Sequence, residues 1–139
     1  MKLLLSMKTL QRWTHLDLRP PGNSPGDVYH FFAPLRSKPG GPVIREVFGS
    51  KTLSKVTTEA NPDSEKRATL LFFTFTDRQD QIIALGVHDY SPTAAEFSAG
   101  KSVLRAILGG TGKYIGARGQ LTSTRNADGT YTQVFAFLK

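Results

Sequence analysis

The amino-acid sequence predicts an all-β fold, an eight-stranded antiparallel up-and-down β-barrel, and three observations lead there. Apolar and polar residues alternate with a period of two along most of the chain, the pattern of strands with one face buried. Short clusters of Gly, Pro, Asn and Asp separate the alternating runs and set turns rather than long connections. Apolar spacing suited to a helix is confined to one turn at 93–99. A small domain built of such strands gains most by closing its sheet, since closure leaves no edge unpaired.

Residues 1–9 read as a flexible leader. The run Leu3-Leu4-Leu5 is three residues long, against about seven to fifteen in a signal peptide. The barrel domain then spans 10–139. Strand 10–18 places Trp13, His15 and Asp17 on one face and Arg12, Thr14 and Leu16 on the other. One face must look inward. The first set forms either a ligand-facing ladder or an exposed polar face, with Leu10 and Leu16 in the core in the second case. Residues 28–32 form a short apolar strand opened by Pro25-Gly26, and 43–58 a long ribbon after Pro39-Gly40-Gly41-Pro42. Residues 68–76 are too β-branched and aromatic for a helix, and with 81–87 they read as a hairpin. Segment 102–108 is strand or short helix, ended by Gly109-Gly110. Segments 119–125 and 130–138 flank the Asp128-Gly129 step and read as the last hairpin.

The length of 139 residues fits one domain. Cysteine is absent, which excludes disulfides, thiolate catalysis and thiolate metal sites. Lys and Arg exceed Asp and Glu to give a net charge of +7, but the cations are scattered singly and nowhere form the cluster that nucleic-acid or membrane binding uses. No apolar run approaches the roughly 20 residues of a transmembrane helix. The expectation is a soluble cytoplasmic protein with no nucleic-acid or membrane partner.

Spacing argues against the common catalytic motifs. Gly109-Gly110-Thr111-Gly112-Lys113-Tyr114 is no phosphate loop, because Ile107 stands where its first glycine belongs and Tyr114 where Ser or Thr must follow the lysine. It is no dinucleotide fingerprint either, since the third glycine falls at Gly116 and not at Ile115. His15, Asp17 and His88 follow the order of a two-histidine, one-carboxylate iron site, an order that chance supplies readily, and no metal is expected. No serine lies in a nucleophile-elbow pattern.

Segment 106–119, from Ala106-Ile107-Leu108-Gly109-Gly110-Thr111-Gly112-Lys113-Tyr114 through Ala117-Arg118-Gly119, resembles the GGTGKF-x-x-ARG signature of dirigent proteins, and more distantly the matching turn of plant allene oxide cyclases. Gly26-Asp27-Val28-Tyr29-His30-Phe31-Phe32-Ala33-Pro34-Leu35 is similar to the dirigent strand that ends in Pro-Leu, and Phe72-Phe73-Thr74-Phe75 to the apolar strand after it. Both families are eight-stranded barrels with an apolar lumen. The resemblance implies roles for Asp17 and Asp89 in proton transfer and for Arg118 in holding an oxygen or the acid. Ser24-Pro25 looks like the Ser-Pro step of the cyclases, although Leu16 stands where their glutamate would be, with Asp17 adjacent. The chain has no cysteine for the pair often found in dirigent proteins, and its short Leu run is not expected to act as the signal peptide usual in them.

These readings lead to a cofactor-independent cyclase or isomerase acting on a hydrophobic unsaturated small molecule in the lumen, in natural-product biosynthesis. Asp17 is the expected general acid or base, Arg118 the charge stabiliser, and His15 or Asp89 the assistant. Trp13, Tyr29, Phe73, Phe75, Tyr131 and Phe135 are expected to shape the cavity, each with core packing as its plainer alternative. A second reading is a non-catalytic dirigent-type barrel that steers a reactive intermediate, and a third an OB-like module for single-stranded nucleic acid. An apolar outer face such as Val134, Ala136 and Leu138 would suit a dimer or trimer.

Overall fold

The computed structural model describes residues 2–7, 12–18, 21–55, 64–75 and 78–139. Nine strands follow one another: β1 Lys2–Met7, β2 Arg12–Leu16, β3 Val28–Arg36, β4 Val43–Lys55, β5 Glu65–Thr74, β6 Gln81–Tyr90, β7 Ser102–Thr111, β8 Gly119–Arg125 and β9 Tyr131–Phe137. A single 3-10 turn, Gly112–Tyr114, follows β7. All pairings are antiparallel, in the order β1-β9-β8-β7-β6-β5-β4-β3-β2. The sheet closes through Ser6↔Arg36 and Met7↔Leu35. Eight strands therefore form the cylinder, and β2 is an extra strand on the same edge of β3 that β1 uses.

Each local choice follows from residue type. β5 alternates buried and half-buried positions along its length, as a β-branched and aromatic run does when one face is dry. The Asp128-Gly129 step turns β8 into β9 with Gly129 at φ 83°, and the Thr130 N–H donates to Asp128 Oδ1 at 2.9 Å. Closure and pleat place Leu35, Val47, Phe73, Ile82, Leu121 and Phe135 inside, each fully shielded from solvent. They fill one half of the lumen, where Phe73 and Phe135 meet edge to face at 4.9 Å.

Three expectations change. Residues Lys2–Met7, expected as leader, form the strand that closes the barrel; their Leu run meets β9, and pairing supplies the order that a short apolar segment lacks alone. Segment 93–99 is bend and turn rather than a helical turn, because its carbonyls are taken by side chains of the barrel and not by a local ladder. The OB-like alternative needs a five-stranded Greek key, whereas these strands run consecutively around the cylinder.

Candidate functional site

The half of the lumen opposite the apolar fill carries charge. Alternation puts Lys51 of β4 on the same face as Val47 and Leu53, Glu65 and Arg67 of β5 with Leu71 and Phe73, and Arg105 of β7 with Val103 and Ile107. All four charged side chains are buried. Each cross-strand neighbour is fixed by register, so the charges share one end of the barrel with Tyr90, Ser123, Tyr131 and Gln133.

Segment 91–101, between β6 and β7, closes this end. Its backbone carbonyls lack a strand partner, and the cationic side chains of the lumen supply the donors. Arg67 donates through Nη1 to Ala94 O at 2.8 Å and through Nη2 to Ser91 O at 3.2 Å. Lys51 Nζ donates to Ala95 O at 2.8 Å, and Arg125 Nη1 to Phe97 O at 3.0 Å. The segment thereby drives the Phe97 ring into the barrel, 5.4 Å edge-on from Tyr131 and 6.2 Å from Tyr90. Asn23 ties the 17–27 loop to the same assembly, giving one amide hydrogen bond to Glu65 Oε1 and another to Pro92 O, both at 2.8 Å.

The charges are arranged as a column of cations and rings. His15 stacks on Tyr29 at 4.2 Å. The Arg67 guanidinium lies 5.3 Å from the Tyr29 ring and 4.8 Å from Tyr90. Lys51 Nζ is 4.9 Å from Tyr90 and 5.3 Å from Phe31. Arg67 is also paired to Glu65 at 3.0 Å. Deeper in, Arg105 Nη1 donates to Ser123 Oγ at 2.8 Å, and that hydroxyl donates to Gln133 Oε1 at 2.6 Å.

Between these groups is a cavity of about 20 Å³, lined by Phe31, Lys51, Thr69, Leu71, Phe97, Arg105, Ser123, Tyr131 and Gln133, which is room for about one water molecule. Burial, with Arg105 beside it, pulls the Lys51 amine well below the usual lysine value. Burial lowers Arg105 as well. Burial and the neighbouring Glu96 carboxylate raise the Tyr131 phenol far above its ordinary value. The cavity thus brings together an amine whose pKa is pulled down, a phenol that keeps its proton, and a guanidinium.

The residues singled out in the sequence are distributed differently. Asp17 is exposed beyond the end of β2 and accepts from the Gly22 N–H at 3.2 Å; the pleat of β2 turns it to solvent rather than into the lumen. His15 stands outside the same end, on Tyr29 and 3.4 Å from the buried Asp27 carboxylate. Asp89 is on the exposed face of β6, bonded to Lys66 and Ser64. Arg118 is exposed in the turn after β7, at the far end of the barrel from Asp17, so the two do not face a common atom. Phe73, Phe75 and Phe135 belong to the apolar fill, Tyr29 stands at the mouth, and Tyr131 lines the cavity. The Trp13 side chain lies outside the described residues. Among the described residues no three His, Asp or Glu side chains converge as metal ligands would. No helix is long and apolar enough to cross a membrane among those residues.

The glycine-rich signature has a structural task. A Cβ on Gly110 would come within 2.6 Å of the carbonyls of Gln81 and Tyr114, and one on Gly112, at φ 59°, within 2.0 Å of Asp80 Oδ1. That carboxylate accepts the Lys113 N–H at 2.9 Å and pairs with Lys113 Nζ at 3.5 Å. The turn is pinned to the β5–β6 connection at the end away from the cavity. Sequence reasoning missed Lys51, Glu65, Arg67 and Arg105. Their signal was available as charges in phase with the apolar face of a strand, where a solvated charge has no place.

No family model matches the chain, and no curated protein matches it in sequence. Solved structures do match. A pyocyanin demethylase is 22% identical with a TM-score of 0.73, over 99% of this chain and 100% of that one. An exo-specific intermolecular Diels–Alderase is 13% identical with a TM-score of 0.68, over 99% and 96%. A pterocarpan synthase dirigent protein is 15% identical with a TM-score of 0.64, over 99% and 82%. The chain shares its barrel fold with these three proteins, a dirigent protein among them.

Proposed function

We propose that this protein binds a largely apolar, unsaturated small molecule in the charged half of the lumen and promotes its cyclisation or isomerisation with its own side chains, in natural-product biosynthesis. The observation that carries the reading is the set Lys51, Arg105 and Tyr131 around one cavity, between the rings of Phe31 and Phe97. Charges in a dry, preorganised site act strongly on charge that develops in a transition state. Arg105 would stabilise negative charge forming on a carbonyl oxygen, the Lys51 amine would take a proton, and the Tyr131 hydroxyl, which keeps its proton, would donate a hydrogen bond to the developing charge. The names of the structural neighbours, a demethylase, a Diels–Alderase and a pterocarpan synthase, support small-molecule chemistry on this fold. The proposal includes a homo-oligomer, because Phe32, Phe48, Leu85, Val87, Leu104 and Leu108 point outward and stay exposed.

Cyclisation and isomerisation leave mass unchanged, which defines the test. Purified protein is incubated with the small-molecule extract of its source cells and followed by chromatography and mass spectrometry. The expected result is one compound replaced by another of identical mass, at a rate lowered at least tenfold, about 1.4 kcal/mol, in Lys51→Met. A product of different mass would overturn the reading. Steering of an intermediate is the second reading, favoured by the solvent-facing position of Asp17; its outcome is a stereochemical change that appears only when an oxidase is added.

A further inference from the structure

We infer that the ligand of this lumen carries an anionic oxygen, a carboxylate or an ionised enol or phenol, on a flat conjugated body, and that Arg105 is its seat. The inference rests on the lumen as the binding site and adds the chemical class of what binds there.

Charge pairing sets this residue apart from the other two arginines at this end. At this end of the barrel Arg67 is matched by Glu65 at 3.0 Å and Arg125 by Glu96 at 3.2 Å. Arg105 is as deeply buried, at 4% exposure, yet among the described residues no carboxylate lies within 4.0 Å of it. Its hydrogen-bond partners are neutral hydroxyls, Ser123 Oγ at 2.8 Å and the Tyr90 phenol, and its Nε–H has no partner. A buried guanidinium with neither counter-ion nor full hydrogen bonding is costly to keep. It borders the cavity, so an anion entering there supplies both the missing charge and an acceptor.

The shape of the ligand follows from the filling. A volume of about 20 Å³ admits one oxygen-sized group beside Arg105 and no carbon skeleton. The part of the wall held by side chains rather than by a strand ladder is segment 91–101, whose Phe97 ring lies between Tyr90 and Tyr131. A planar unsaturated body that displaces Phe97 inherits both aromatic contacts, while its acidic group reaches Arg105.

The test compares 1-naphthoate with its neutral analogue 1-naphthalenemethanol by calorimetric titration of the full chain. Wild type is expected to bind the acid at least tenfold more tightly than the alcohol. In Arg105→Met that preference falls below twofold while the alcohol still binds, and in Phe97→Ala both ligands bind more tightly. Arg105→Met removes an uncompensated charge, and a thermal melt at or above wild type is expected to show that it folds. Equal affinity of wild type for the two ligands overturns the inference without recourse to any variant, and so does an acid preference that survives in Arg105→Met. In either case a lumen that binds the alcohol leaves the broader reading standing. If neither compound binds wild type or Phe97→Ala, the lumen is not the site and both readings fall.

Discussion

Phe73 and Arg105 occupy equivalent inward positions on their strands, and the pleat treats them alike; what differs is the company each keeps. Phe73 is fully buried against Phe135 in the apolar half. The sequence predicts a wall of the substrate cavity here, whereas the burial and contacts of Phe73 are those of core packing. Phe73→Ala is therefore expected to cost about 3–5 kcal/mol in denaturant unfolding while leaving the affinity of the lumen for 1-naphthalenemethanol within twofold. A large loss of affinity at unchanged stability would return Phe73 to the site. Sequence alone does not separate the two roles, because an aromatic ring in phase with a strand has the same pattern whether it fills a core or faces a ligand. The charges are legible in the sequence. Arg67 and Arg105 alternate in step with Leu71, Phe73 and Ile107, and only a lumen explains a cation there.

At the scale of elements, the segments that look most distinctive in sequence are the ones that fix backbone paths. The glycine signature predicted the barrel because its turn admits no Cβ beside Asp80 and Tyr114, and for the same reason it says little about chemistry at the other end. The 17–27 loop is a second case. Asp27 is buried beneath it and accepts from the N–H groups of Leu18 at 2.7 Å and Ser24 at 3.0 Å, with His15 Nε2 at 3.4 Å. Burial pushes its carboxyl up, but these donors outweigh burial and hold it below the usual range. A lowered folded value means that the stabilisation is present above the unfolded value of about 3.9 and is lost as pH falls through the folded one. Asp27→Asn should lower the urea midpoint at pH 7, and its stability should fall less steeply than wild type when the solution is acidified below about pH 4. Parallel acid limbs for the two proteins would show that the carboxylate contributes nothing to the closure of this loop.

For the molecule as a whole, the barrel divides its interior: apolar side chains at one end supply cohesion, and buried charges at the other hold the closing segment. The hinge of that division is the Glu65–Arg67 pair, each side chain 1% exposed. Glu65 accepts from Arg67 and from Asn23, and Arg67 reaches Ser91 and Ala94, so one ion pair joins β5, the 17–27 loop and segment 91–101. Removing one partner leaves the other charge buried without compensation, and Glu65→Gln is expected to destabilise by about 3–5 kcal/mol. Replacing both, as Glu65→Leu with Arg67→Met, removes the desolvation cost together with the attraction and should cost much less than the single change. The double variant still loses the donors to Ser91 and Ala94. Hydrogen exchange across 91–101 should therefore quicken in both variants, even where global stability in the double variant is near wild type. If exchange there is unchanged in the double variant, the pair serves packing alone, and access to the lumen is controlled by something other than the bonds that hold this segment down.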